Sequence, residues 1–389
     1  MGNKRKAKLY FSELAMSGVY HSGINSSFIE ILQQVFPQVD EIIFTAEQQH
    51  LDACKKKLSA ALGQVTYKSV YLPKVKLSTL IQRDLLACFY AIRIMFSSRK
   101  EDIVFFSYTL SLTHILIVLL NKFLRRQVFF CLHGQMEAFI PNSPLKLTRY
   151  YWGIQRPFFN QNNYGYYIVL GDAIWKDVSF LFKDPSRVII LDHPYNYNNV
   201  PEMPSSFSPL RCGQIGVGDK GKGTEQIFYL ATLLKEHIEA GSLELSIIGK
   251  LNPNLSAYDN GLVKYYKEPV GNAEFHAEVS ALHYTLHFRN KDQGVAVASG
   301  SFFDTVKYCK PYISLDSRFV TSYAERFPGT GIICTSIEDM AEQIKGMLGK
   351  DLTTEYKESF RNIEAMKQEL SISRLAGKFS QQIRKFITD

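Results

Sequence analysis

Two segments in the second half of the chain combine glycine, lysine and small hydroxyl residues in an order that suits an anion. The first is GQIGVGDKGKGTEQIFYLATLL, from Gly213, which reads as strand, Gly-rich turn and helix. Gly216, Gly218, Gly221 and Gly223 let the backbone turn sharply and approach a ligand closely. A helix starting near Gly223 offers its free N–H groups, and Lys220 and Lys222 add positive charge beside it. Together these suit a diphosphate; the plainer reading is a surface turn. No Gly-Lys-Ser/Thr follows, so this is not a Walker A loop. The second segment is HFRNKDQGVAVASGSFFDTVKYCKPYISL. Here a strand, His283–Phe288, ends in a polar loop holding Asn290, and a small-residue run precedes a helix. A phosphate can sit on the amides of such a helix start, and the Ser299 and Ser301 hydroxyls on either side of Gly300 can add bonds. Asp304, one turn in, can accept both hydroxyls of a ribose, or it simply complements the helix dipole.

The first half carries two further candidates. SGVYHSGINSSF lies between a strand and a helix, where Gly18, Gly23 and Ser26 would shape a loop, which the family resemblance set out below implies faces the acceptor or the donor. It lacks the GxGxxG spacing of a dinucleotide site. CLHGQMEAF places His133 and Gly134 directly after a buried strand, with Glu137 four residues beyond His133 to orient it or act as a base. A lone strand-end histidine is as readily structural. Asp192-His193-Pro194 reads as a turn.

These residues need elements to position them. Short β-branched and aromatic runs alternate with longer amphipathic ones, the pattern of parallel α/β units. In the first half, strands are expected at Lys8–Glu13, Glu41–Thr45, Thr66–Leu72, Ile103–Tyr108, Val128–His133, Tyr166–Gly171 and Val188–Leu191. Helices are expected near Ser26–Val35, Glu47–Leu62, Ser78–Ser97, Leu112–Phe123, Leu145–Asn160 and Ala173–Phe182. A second alternating series runs from Leu210 to Leu370, with strands at Leu210–Gly216, Leu243–Gly249, Leu262–Lys267, His283–Phe288, Tyr312–Leu315 and Gly331–Cys334. The organisation is therefore a first domain over 1–195, a Pro-rich hinge over 196–209, a second domain over 210–370, and a closing amphipathic helix over 371–389, which the family resemblance set out below implies crosses back to the first domain. The fold class is α/β: two doubly wound, Rossmann-like domains facing across a cleft, the place where open α/β sheets bind ligands.

Composition narrows the class. The chain has 389 residues, 46% hydrophobic and 21% charged, the values of a globular protein with a real core. Residues 1–200 hold 23 Lys and Arg against 14 Asp and Glu (+9), and the rest hold 22 against 23 (−1), which together give the net +8. A basic first half suits an anionic partner such as a phospholipid surface, or is simply basic. No patterned basic arm points to nucleic acid. The six cysteines (Cys54, Cys88, Cys131, Cys212, Cys309, Cys334) are scattered through apolar runs with no CxxC pair, which suggests a reducing compartment and a cytoplasmic location. Leu85–Phe96 and Leu110–Leu124 are too short and too interrupted to span a bilayer and read as buried helices. No metal-ligand spacing, DxD triplet or GxSxG occurs, so neither a metal site nor a serine hydrolase is expected.

The order of motifs resembles the donor domain of GT-B glycosyltransferases, particularly the broad glycosyltransferase family 4 and its divergent members of bacterial polysaccharide assembly. It rests on the strand–Gly turn–KG–helix at Gly213, a strand ending in glycine (LSIIG, Gly249), and the small-residue loop with an acid and KP before a strand. The resemblance covers roughly Leu210–Leu348 by motif order and the first half by architecture. It implies that Lys222 binds the donor diphosphate, that Asp304 binds the ribose, and that His133 touches the transferred sugar or serves in catalysis. Two positions depart from the family pattern: Val217 stands where an arginine is usual, with Lys220 a candidate substitute, and Ala296 stands where the first of two glutamates is usual. The implied activity is metal-independent transfer from a nucleotide-sugar co-substrate, with no cofactor, to a saccharide or lipid-linked acceptor, in a protein peripheral to the inner face of a membrane. A sugar-nucleotide epimerase and a non-catalytic saccharide- or partner-binding subunit share the architecture and remain the alternatives.

Overall fold

The computed structural model describes residues 6–58, 64–140, 148–161 and 165–387. The chain divides into two compact units, the first comprising Met1–Asn196, Ala296–Ala298 and Leu370–Asp389, the second Tyr197–Val295 and Ser299–Glu369.

In the first unit the strands are β1 (Lys8–Glu13), β2 (Glu41–Glu47), β3 (Val65–Val70), β4 (Ile103–Tyr108), β5 (Gln127–Leu132), β6 (Gly165–Val169) and β7 (Val188–Ile190). Between them run α1 (Ser22–Val35), α2 (Gln48–Lys55), α3 (Leu80–Ser97), α4 (Ser111–Leu124), α5 (Arg149–Gly153) and α6 (Asp172–Val178). The sheet is parallel, in the order β3-β2-β1-β4-β5-β6-β7. The order reverses at β1 and β4, the switch point where doubly wound sheets bind ligands. Aromatic side chains fix the register. Phe44, Phe11, Phe105, Phe129 and Tyr166 stand directly opposite one another on five adjacent strands. Their neighbouring rings lie 5.1, 5.1, 6.4 and 5.1 Å apart. On the other face Phe106, Phe130 and Tyr167 repeat the arrangement at 6.0 and 5.3 Å. α1 covers the first row through Phe28, 5.1 Å from Phe105, and α4 covers the second through His114, 4.9 Å from Phe130.

The second unit contains β8 (Leu210–Ile215), β9 (Leu243–Lys250), β10 (Val263–Tyr266), β11 (Tyr284–His287), β12 (Tyr312–Leu315) and β13 (Gly331–Cys334). Its helices are α7 (Glu225–Leu233), α8 (Lys235–Glu239), α9 (Asn272–Ala281), α10 (Gly300–Lys307), α11 (Arg318–Arg326), α12 (Ile337–Met347) and α13 (Thr353–Glu369). The parallel order is β10-β9-β8-β11-β12-β13, with its switch point between β8 and β11. The Pro-rich stretch carries no helix or strand from Leu191 to Pro209. Within this unit Phe207 packs 5.1 Å from both His283 and Tyr356, and Lys367 Nζ donates to Asn199 O at 2.9 Å. The last helix, α14 (Ile372–Ile387), belongs to the first unit, where Phe379 meets Phe129 edge-on at 6.1 Å and Gln382 bonds both backbone groups of Ile190.

Several expectations change at element ends. The helix expected over Leu145–Asn160 is α5 followed by a 3₁₀ turn, Arg156–Asn160, because Pro157 cannot donate and disfavours helix before it; residues 141–147 lie outside those described. The helix expected from Glu47 starts one residue later, since the Glu47 carboxylate caps it by accepting from Gln49 N and His50 N; residues 59–62 of that expectation lie outside the described residues. The Leu85–Phe96 helix is not buried all round: Leu85, Phe89 and Phe96 are exposed. No helix among the described residues is long and apolar enough to cross a membrane. All six cysteines are free, and all but Cys88 are buried.

α4 lacks a capping side chain of its own. Buried Asp84 of α3 supplies one, accepting from Leu112 N at 2.8 Å, Thr113 N at 2.9 Å and Thr113 Oγ1 at 2.6 Å, and also from Tyr151 OH. Replacing it by alanine strands several buried donors, so Asp84→Ala should cost about 2–4 kcal/mol. Urea denaturation checks this, and an unchanged midpoint would show that α4 does not depend on the cap.

Candidate functional site

In the second unit the turn after β8 is built by close backbone approach. A Cβ on Gly249 would sit 2.5 Å from the carbonyl carbon and oxygen of Gly216. One on Gly223, where φ is +68°, would sit 2.7 Å from Phe288 O. Only glycine fits either place. The turn lays Lys222 over Gly216, whose Cβ would be 3.1 Å from the Lys222 Nζ. Lys222 then lines a pocket at the carboxyl ends of β8 and β11, together with Gln214, Arg289, Ser299, Ser301 and Phe319.

The pocket's electrostatics favour an anion. Burial lowers the Lys222 pKa, Arg289 pushes it the same way, and Asp219 and Asp304 oppose the shift. Two cations that raise each other's cost are relieved by an anion placed between them. Arg289 is held by donating from Nε to Gly221 O at 3.0 Å. The Ser299 and Ser301 hydroxyls lie 3.1 Å apart at the start of α10, and a Cβ on Gly300 would meet open space. The helix N-terminus there is unobstructed. Buried Gln214 keeps its Oε1 without a hydrogen-bond partner.

Not every expected residue joins this pocket. Lys220 is exposed and lies 5.4 Å over the Tyr258 ring. Asn290 shapes its own turn, its Oδ1 accepting from Asp292 N. Asp304 acts on Lys222 by charge. The helix expected to aim at an anion from Gly223 begins at Glu225, and the Lys222 N–H already donates to Asp219 Oδ1 at 3.1 Å. The open helix start is that of α10.

In the first unit a second polar cluster closes around the switch point. Glu13 ends β1 fully buried. Its Oε1 accepts from Ala15 N and Met16 N at 2.9 Å, and its Oε2 accepts from Asn25 Nδ2 at 3.3 Å with His21 Nδ1 3.5 Å away. Burial alone would raise its pKa, but the neighbouring His21 ring, the charge of His50 and the Ala15 amide hold it at about 2. His21 stands in the left-handed region (φ 60°) and stacks on His133 at 4.5 Å, while Tyr108 meets both rings edge-on. Burial first, then His21, drives the His133 pKa well below the ordinary value, so the ring is neutral. Its Nε2 has no hydrogen-bond partner.

Here the structure corrects two expectations. Glu137 does not orient His133: it sits in a 3₁₀ turn (Gly134–Phe139) and its Oε2 accepts from Ala296 N at 2.8 Å. The carboxylate beside the histidines is Glu13. Gly23 and Ser26 are not loop residues but lie inside α1, where the buried Ser26 hydroxyl donates to Ser22 O at 2.8 Å. Gly18 remains in the turn, with φ +62°, its N–H on Glu47 and its carbonyl on His50. Among the described residues, no group of three His, Cys, Asp or Glu side chains is arranged to hold a metal ion.

Neither a protein-family model nor the sequence of a curated protein matches this chain. Solved structures do match its fold. The structure of Anabaena HepE in complex with UDP aligns over 98% of this chain and 99% of that chain, at 11% identity and a TM-score of 0.66. The apo form of the lipopolysaccharide outer core galactosyltransferase WaaB aligns over 97% and 99%, at 14% identity and a TM-score of 0.60. A putative UDP-N-acetylglucosamine 2-epimerase from Listeria monocytogenes aligns over 99% and 97%, at 12% identity and a TM-score of 0.61. At such identities the likeness is one of fold, and the fold is GT-B, as the motif order implied.

The buried charges make stability pH-dependent. His133, His193 (about 4) and His114 (about 3) are held below 6.5 chiefly by burial, so the stability of their neutral forms is present above pH 6.5 and is lost as pH falls. Glu13, lowered from 4.5 to about 2, contributes above pH 4.5 and loses that contribution between 4.5 and 2, about 3 kcal/mol in all. Thermal melts should therefore decline from pH 6.5 downward. The deficit of Glu13→Gln relative to the parent should narrow below pH 4.5; a constant deficit down to pH 2.5 would contradict the ionised Glu13.

Proposed function

We propose that this chain is a glycosyltransferase that moves a sugar from a nucleoside-diphosphate sugar to a saccharide or lipid-linked acceptor in cell-surface polysaccharide synthesis. The observation that carries the reading is the desolvated Lys222 beside Arg289 in a pocket at the β8–β11 switch point of a GT-B fold. In transfer, the bond between the anomeric carbon and the diphosphate oxygen breaks, and the leaving diphosphate gains charge. Lys222, Arg289 and the start of α10 are placed to meet that charge without proton transfer or a metal. Phe288, Phe319 and Val320 give the same pocket an apolar wall for a nucleobase. HepE in complex with UDP supports a uridine nucleotide, and WaaB supports a saccharide acceptor.

The first unit supplies the groups for the acceptor. The Glu13 carboxylate lies 3.5 Å from His21, whose side chain is about one-quarter exposed, and its charge would stabilise the imidazolium that forms when the ring takes a proton. Within the first unit, His21 would be the base that takes a proton from an acceptor hydroxyl, and neutral His133 would hold a sugar hydroxyl through Nε2.

UDP should raise the melting temperature of the purified protein by mass action. Lys222→Ala and Arg289→Ala should each weaken UDP by about 10–100-fold, the worth of a charge-assisted bond. No shift in the parent with any nucleoside diphosphate would remove the donor site. His21→Ala should leave the UDP shift intact and lower kcat by about 10²–10⁴-fold. The Listeria structure keeps epimerisation as a second reading; conversion of the nucleotide sugar with no acceptor present would favour it over transfer.

A further inference from the structure

α3 and α4 run the same way on one face of the first sheet, and the Asp84 cap pins their amino-terminal turns together. Their carboxyl-terminal ends are therefore level. The inner side of α3 buries Ala87, Ala91 and Ile94, and Asp84 and Cys88 face α4 through Thr113. The outer side is apolar and uncovered: Ile81 is 54%, Leu85 58%, Phe89 53% and Phe96 64% exposed. At 100° per residue these four side chains fall within an arc of about 80°. Phe123 of α4, 85% exposed, extends the patch at the level of Phe96 and Leu119 one turn before it, and Val75 and Leu77 extend it before α3.

Charge surrounds this patch with one sign. Residues 71–127 hold nine Lys and Arg against three acids, and two of those acids, Asp84 and Asp102, are buried. Lys74, Lys76, Arg93, Arg99, Lys100, Lys122 and Arg125 are exposed, with Glu101 as the exposed acid among them. Arg93 lies 5.7 Å over the Phe89 ring, so cationic heads stand at the edge of the apolar stripe. A helix of this make-up, about 27 Å long, lies in the plane of an anionic lipid surface, with its apolar side among acyl chains and its cations among phosphates.

We propose that the α3–α4 face of the first unit docks on an anionic lipid bilayer. This deepens the reading of a lipid-linked acceptor, and it stands on observations independent of the nucleotide pocket. The test is co-sedimentation with vesicles of phosphatidylglycerol mixed with phosphatidylcholine, beside vesicles of phosphatidylcholine alone. The parent should bind the anionic vesicles, with affinity falling as salt rises. The exposed pair Leu85→Glu/Phe89→Glu should weaken binding at least about tenfold, and Arg93→Ala and Lys122→Ala roughly fivefold each, with unchanged melting temperature and UDP response. Failure of the parent to bind anionic vesicles at low salt would overturn the proposal, as would equal binding by the glutamate pair or equal binding to both vesicle types. A dimer split by the glutamate pair, with no vesicle binding, would give the face to a second copy and overturn it too. None of these results bears on the UDP shift, so the donor reading stands or falls separately.

Discussion

The in-register row of Phe44, Phe11, Phe105, Phe129 and Tyr166 is the contact on which the first unit depends. Aromatic rings directly opposite on adjacent strands interact beyond the area they bury. Because side chains alternate faces, slipping one strand by a residue would move its ring to the other face and break the second row, Phe106, Phe130 and Tyr167, as well. The two rows therefore fix where each strand stops. Glu13 emerges at the end of β1, Tyr108 at the end of β4 and His133 just past β5, on neighbouring strands. The polar cluster is a consequence of that common register.

The second unit solves the same problem with small residues. Gly213 passes so close to Ser246 that a Cβ would lie 2.6 Å from its hydroxyl, and Gly216 and Gly249 bring their backbones into contact one turn later. Lys222 lies over this turn, where burial and Arg289 lower its pKa while Asp219 and Asp304 oppose the shift. A partly buried cation gives up less hydration than a surface lysine when an anion arrives.

The fold was legible because its signals are repetitive: apolar strand runs, amphipathic helices and glycine turns each recur many times. Lys8–Glu13, Ile103–Tyr108, Tyr312–Leu315 and Gly331–Cys334 fall where the sequence pattern placed them. The pocket was legible in part. Lys222, Ser299 and Ser301 are there, and each lies next to a glycine whose role spacing reveals. Arg289 could have been found, since it follows a strand that ends at the switch point. His21 could not. Its place depends on a left-handed backbone that a histidine adopts only when its surroundings hold it there. Nor does spacing distinguish Lys220 from Lys222, because which of two alternate lysines turns inward depends on the 3₁₀ turn that Asp219 caps. Asp84 is a plain helix residue until α4 is placed beside it.

The two departures from the family pattern differ in kind. Val217 is not among the residues that line the pocket, and the cation that stands there beside Lys222 is Arg289, just past the end of β11. Electrostatic attraction depends on where a charge ends up and little on the backbone that carries it, so a cation can move between elements and still serve one anion. The glutamate missing at Ala296 has no such counterpart. A carboxylate does lie there, Glu137, but it is bound to the Ala296 amide. A hydrogen bond is directional, and an acceptor oriented toward the backbone is not oriented toward a sugar hydroxyl. Two cations therefore stand together in the pocket of the second unit, whereas within the first unit the Glu137 carboxylate is tied to the Ala296 backbone.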